Sequence, residues 1–337
     1  MSPHPQVDVT GPIARPASWV TFVVKAAVFL AVALVLTETF WRSLRYMPAN
    51  SDLRNFARVR QAADGDPRAV ALVGSSRVRY GLNPKSLERV VAGRHFRQLG
   101  ILGNGAAPVL EDLANDPNFL GLVVCELNPA HWGGGHTFSK LPETLAFMHP
   151  EISGAYLETV LSEQFRERTR FFNYNLFIEA PRILQHKPVP DPEQPDRFVS
   201  FRDLGPTINE PLINNWVHAA VDSGERMKRT ASTRFTEEVQ RWVNRIRRRG
   251  GDVAFVRMPV DGRLRVVEEN AFPQTQSLIR DVRARGMLVI DFAEMPGQFR
   301  CPDGSHLEAS EADRFSRLLA EELAASGFFQ LAADFRK

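Results

Sequence analysis

Residues 69–77 read Ala69-Val70-Ala71-Leu72-Val73-Gly74-Ser75-Ser76-Arg77, an unbroken aliphatic run closed by a glycine and two serines. A short apolar run bounded by turn residues is the mark of a strand buried on both faces, as in a parallel sheet. Working outward, Leu82 to Val91 carries helical spacing, Phe96 to Leu99 reads as a second strand, and Val109 to Leu113 as part of a second helix. Leu120 to Leu127 is a third apolar strand, closed by Asn128 and Pro129. Further on, Phe235, Val239, Trp242, Val243 and Ile246 share one helical face, ended by Gly250-Gly251. Val253 to Met258 follows as a strand, Leu278 to Arg285 as a helix, Met287 to Phe292 as a strand and Ala309 to Ala325 as a last amphipathic helix. Such alternation predicts an α/β domain whose mostly parallel sheet is covered by helices on both faces.

Two regions depart from this rhythm. From residue 130 to 233 the alternation breaks down into aromatic clusters such as Phe171-Phe172-Asn173-Tyr174 and the Pro-rich stretch from Lys187 to Pro195. We read it as a largely helical insertion with a loop, of the kind that shapes a cleft or a partner surface. At the other end, residues 1–18 read as a disordered tail rich in Pro and polar types, and residues 19–41, from Trp19 to Trp41, are almost wholly apolar apart from Lys25 and Glu38. That length matches the ~20 residues a bilayer requires, and Trp at both ends suits its interfaces. A cleaved signal peptide is the rival reading, but Thr37-Glu38-Thr39-Phe40 stands where small residues should mark the cleavage site. A buried core helix is the other. The arginines after the segment, Arg42, Arg45, Arg54, Arg58 and Arg60, outnumber Arg15 and Lys25 before it, so the positive-inside bias alone favours a cytoplasmic domain.

Composition narrows the function classes. The 337 residues are 44 % hydrophobic and 24 % charged, as expected of a globular protein, and the formal net charge of +3 comes from a thin excess of cations spread along the chain. This gives no footing for nucleic-acid binding. The densest run, Arg245, Arg247, Arg248 and Arg249, falls at a helix end, where cations complement the macrodipole; a polyanion or lipid-headgroup patch is the alternative. The two cysteines, Cys125 and Cys301, make no framework or zinc spacing, and whether they pair stays open.

Chemistry concentrates in two places. A serine on the turn after a strand, Ser76, sits at the carboxyl end of the sheet, where open α/β folds bind ligands; as a lone motif it equally suits a helix cap. Near the other terminus, Asp303-Gly304-Ser305-His306-Leu307 precedes the last helix. An Asp placed three residues before a His can hold one ring nitrogen and leave the other to accept a serine proton.

Taken together, these motifs resemble the SGNH (GDSL-type) hydrolase and acyltransferase superfamily over roughly residues 68–325. Its name records a Ser, a Gly, an Asn and a His in four blocks. Ser76 matches the first, with Ser75 where the commonest form has Asp. Gly103 matches the second, Gly100 and Gly105 being alternative registers. Asn128 matches the third, the usual Gly-x-Asn-Asp having become Glu126-Leu127-Asn128-Pro129. Asp303 and His306 match the fourth. The resemblance implies a flavodoxin-like three-layer α/β/α domain over residues 68–330, joined to the anchor by a linker or helix at 42–67. It also implies an acyl-Ser76 intermediate, His306 as base, Asp303 as its orienter, and an oxyanion hole from the Ser76 and Gly103 amides and the Asn128 side chain. No metal or other cofactor is implied.

An anchor combined with Gly-Ser-Ser is similar to proteins that acylate envelope polymers, such as alginate O-acetyltransferase accessory proteins and the D-alanyl-lipoteichoic acid biosynthesis protein D. The expectation is a single-pass protein of the cytoplasmic membrane with its catalytic domain outside. It acts on an acylated carbohydrate or envelope polymer, with a polytopic membrane-bound O-acyltransferase as a candidate partner. Trp132, Phe138, Tyr174 and Trp216 are candidates for a sugar cleft, though core packing explains such aromatics equally. A non-catalytic assembly protein that keeps the fold is the rival from another class.

Overall fold

Five short strands pair side by side in a computed structural model that describes residues 17–43, 52–128, 161, 210–228, 234–260, 262–292 and 299–332. They are β1 (Ala69–Val73), β2 (His95–Gln98), β3 (Leu122–Glu126), β4 (Asp252–Arg257) and β5 (Leu288–Asp291). Their order is β2-β1-β3-β4-β5, and every pairing is parallel. The sheet is thus wholly parallel rather than mostly so, in the doubly wound order that turns back between β1 and β3. Residue type follows position: β1 and β3 are buried along their whole length, whereas the edge strands β2 and β5 alternate buried and half-buried residues.

Successive side chains of β1 feed two different cores, as a strand's period of two requires. Val70 and Leu72 pack with Val78, Leu87, Phe315, Leu319 and Leu323. These come from α3 (Ser76–Gly81), α4 (Pro84–Val90) and the last helix, α10 (Ala309–Ala325). Ala69, Ala71 and Val73 face the opposite side, with Phe56, Leu110, Val243 and Ile279. That layer is built by α2 (Asp52–Gln61), α5 (Ala107–Asn115), α7 (Arg234–Arg248) and α9 (Thr275–Ala284). A small third cluster joins α6 (Glu210–Lys228) to α8 (Gly262–Ala271) through Ala220, Leu264 and Phe272. The helix α8 was not anticipated from sequence spacing.

The helix expected over Leu82 to Val91 forms as α4, which starts at Pro84 because Asn83 caps it with its side chain on the Lys85 amide (3.1 Å) and Pro84 has no amide to lose. The arginine run proves mostly structural. Arg249 donates to the carbonyls of Leu113, Ala114 and Phe119 at 2.9, 3.1 and 3.0 Å, closing the end of α5, and Arg247 pairs with Asp252 at 2.6 Å.

Within α1 (Ala17–Ser43), the 18 residues from Trp19 to Leu36 have a mean hydropathy of 2.4 and no buried share. At ~1.5 Å rise per residue they span about 27 Å, close to the thickness of a hydrocarbon core. The helix is long and apolar enough to cross a membrane. Of the expected tail only residues 17 and 18 are described, as the start of α1, and of the insertion only residue 161 and α6. Trp132, Phe138 and Tyr174 lie outside the described residues.

The two ends of this layer are tied by Arg60, 1 % exposed, whose guanidinium bonds Asp112 at 2.7 Å and Asp116 at 2.6 Å on and beside α5, and also Asp64. Replacing Arg60 with Leu strands three partly buried carboxylates. Unfolding titrations of the detergent-solubilised chain should show a loss of about 3 kcal/mol at pH 7. The deficit should shrink in acid, where the carboxylates are protonated.

Candidate active site

β1 leaves the sheet at Gly74 because no other residue fits there. A Cβ would lie 2.4 Å from Val78 Cγ2 and 2.6 Å from Glu126 Oε2. Next, Ser75 takes an extended conformation and caps α3, its Oγ accepting from the Arg77 amide at 3.2 Å. Ser76 is the first residue of that helix, half-buried at the carboxyl end of the sheet. Gln98, fully buried at the end of β2, donates to the carbonyls of Val78 (3.1 Å) and Leu82 (2.9 Å) and accepts from Gly100 (3.0 Å), so α3 is fixed from below.

The loop before α10 folds back on itself. Asp303 Oδ1 accepts the amides of Ser305 (2.9 Å) and His306 (2.8 Å), a turn that Gly304 permits with φ +84°. Asp303 Oδ2 is then left 2.6 Å from His306 Nδ1, and His306 Nε2 lies 2.7 Å from Ser76 Oγ. A carboxylate beside Nδ1 fixes its proton there, so Nε2 accepts the serine proton. Trp216 of α6 donates its indole N–H to the same Asp303 oxygen at 3.3 Å and sets its edge against the His306 ring at 5.6 Å. Tyr80 of α3 approaches the ring from its own direction at 5.2 Å. Of the aromatics singled out for a sugar cleft, Trp216 is the one described, and it packs on the triad.

Asn128 and Gly103 flank this arrangement. Asn128, buried beyond the end of β3, hydrogen-bonds through its side chain to Glu126. Gly103, exposed and at φ +71°, lies in the turn after Ile101, whose amide donates to the Gly74 carbonyl at 2.8 Å. The structure thus draws Ser76, His306 and Asp303 into one hydrogen-bonded chain. It puts Asn128 at the end of the neighbouring strand and Gly103 on the adjoining loop.

Several partners were not foreseen. Arg77 reaches over the site, its Nε donating to Ser305 Oγ at 3.1 Å and its terminal nitrogens to Glu268 of α8 at 2.5 and 3.4 Å. It therefore joins α3, which carries Ser76, to the His306 loop and α8. Glu126 was noted only as a departure from a motif. The sequence signal for it was a carboxylate ending an otherwise apolar strand, which burial makes costly unless it is bonded. The cysteines are both free and buried, Cys125 in one core and Cys301 in the core on the other face of the sheet.

Burial acts to raise the Asp303 carboxyl, but the hydrogen bond and charge of His306 and the two backbone amides outweigh it and hold it below the usual range. Because the folded value lies below the unfolded one, its stabilisation is complete above the ordinary carboxylate range. It is lost as pH falls through the depressed value. Asp303→Asn should therefore melt lower than the wild type at neutral pH, with the gap closing towards pH 3. A gap independent of pH would contradict this assignment. No protein-family model and no curated protein sequence matches the chain.

Proposed function

We propose that the chain is a membrane-anchored serine esterase or O-acyltransferase of the SGNH type, acting on acyl groups, acetyl foremost, of an envelope or exported polysaccharide. The observation that carries this reading is the continuous chain Ser76 Oγ to His306 Nε2 (2.7 Å) and His306 Nδ1 to Asp303 Oδ2 (2.6 Å). It is supported by the position of Ser76 beside the turning point of the sheet, where such folds bind ligands.

In this reading Ser76 Oγ attacks the acyl carbon while His306 Nε2 takes its proton, and Asp303 stabilises the imidazolium. The carbonyl oxygen becomes an oxyanion that accepts from the Ser76 and Gly103 amides and the Asn128 side chain. Collapse expels the alcohol, which leaves with the proton from His306, and acyl-Ser76 remains. Water resolves it in an esterase; a sugar hydroxyl does so in a transferase. The helix α1 would hold this domain at the membrane, on the extracytoplasmic side in our reading, within reach of a polymer and of a polytopic acyl donor protein.

A fluorophosphonate probe tests the chemistry, since it phosphonylates an activated serine. The full chain should label, Ser76→Ala should not, and His306→Ala should label about 10⁶-fold more slowly. A folded wild type that never labels would favour a non-catalytic assembly role. Reporter fusions after Lys337 test the side of the membrane: an extracytoplasmic domain should activate a periplasmic phosphatase reporter and leave a cytoplasmic one silent.

A further inference from the structure

We infer that Glu126 is a positioning residue of the serine chemistry, its buried carboxylate aligning the nucleophile turn with the Asn128 amide across the crevice between β1 and β3. The inference rests on the reading of Ser76 as nucleophile. Glu126 ends β3 at 2 % exposure and, having no route to solvent, works entirely on its neighbours. Oε2 accepts the Ser75 amide at 2.5 Å and Oε1 accepts the Ser75 hydroxyl at 3.0 Å. The Asn128 side chain hydrogen-bonds the same carboxylate, and the Arg77 charge acts on it from the far side of the turn. The carboxylate also stands where a Gly74 side chain would be, so the turn closes directly onto it.

This geometry has a chemical consequence. A carboxamide carries two N–H donors in one plane, so fixing one on Glu126 fixes the direction of the other. A single group thereby determines both where the backbone presents Ser76 and where Asn128 points its remaining donor. Packing alone would not need a charge here, because a leucine fills similar volume without the desolvation. Burial pushes the Glu126 carboxyl up, against the pull of Arg77, Ser75 and Asn128. Those partners are what keep an acceptor, rather than an apolar group, under the turn.

Phosphonylation kinetics of the full-length protein with a fluorophosphonate probe separate this role from simple support. Glu126→Gln keeps shape but turns one acceptor into a donor facing the Ser75 N–H or O–H. The maximal labelling rate should fall about 10- to 100-fold while half-saturation by the probe and the melting temperature stay close to the wild type. Because Glu126 acts partly through Asn128, its loss should couple with that of Asn128→Ala. The double variant should label only about threefold more slowly than the slower single one, where independent sites would multiply. Labelling of Glu126→Gln at the wild-type rate, or strictly multiplicative losses, overturns the inference while leaving Ser76 as nucleophile. Failure of the wild type to label sinks the reading beneath it instead. Should Glu126→Gln not fold, Ser75→Ala, which removes one bond to the carboxylate together with the side-chain cap of α3, should slow labelling several-fold at unchanged half-saturation. An unchanged rate there overturns the inference as well.

Discussion

Beyond the last residue of β2 the ladder continues without a named strand: the Leu99 amide donates to the Leu72 carbonyl and the Ile101 amide to the Gly74 carbonyl, both at 2.8 Å. On the other side Leu127 extends β3 in the same way, donating to Val256 at 2.8 Å. Buried backbone groups have to be paired, and these bonds pair them up to the point where each chain leaves the sheet. The exits therefore sit at fixed heights. Ser75 and Ser76 follow one, Gly103 follows another and Asn128 a third, so the register of the sheet sets the relative positions of groups far apart in sequence.

What could be read from the sequence was what is local. The strand that presents Ser76 was visible as an uninterrupted aliphatic run, because central parallel strands need no polar face. The Asp303–His306 pair was visible because its partners are three residues apart and lie on one turn. Of the longer relations, the meeting of Ser76 with His306 across 230 positions was expected only through the resemblance of the motifs, and the others were not expected. Glu126 meets Ser75 across 51 positions, Trp216 meets Asp303 across 87 and Arg77 meets Glu268 across 191. Apart from Glu126, which ends an apolar strand, these residues are of types that suit a surface as well as a buried bond, and their own neighbourhoods do not mark the difference. The start of α4 had its signal in Asn83-Pro84, a capping residue followed by a proline at the first helical position.

Two oddities of the sequence become one in three dimensions. Ser75 and Glu126 are the two positions at which the sequence departs from the GDSL-type pattern it resembles, which has an acid at the first and a glycine at the second. The structure sets the two side chains against each other, Ser75 Oγ on Glu126 Oε1 at 3.0 Å. The carboxylate under the turn is thus supplied by β3. Gly74 has no room for a Cβ beside the Glu126 carboxylate, and an acid in place of Ser75 would put two negative charges in one buried site.

The same logic extends to the stretch where strand and helix cease to alternate. α6 comes from that stretch, yet it packs on α8 and delivers Trp216 to Asp303 and His306. At 38 % exposure Trp216 keeps part of its ring in solvent while its N–H is spent on the triad carboxylate. Between Trp216 and Tyr80 the imidazole is 5 % exposed, and in such a low-dielectric setting each hydrogen bond to Asp303 counts for more than it would in water. Arg77 binds α8 through Glu268 and the His306 loop through Ser305, so α6, α8 and the loop are braced against the helix that carries Ser76. Movement of α6 would be felt first at the imidazole, through the indole that touches both it and its carboxylate.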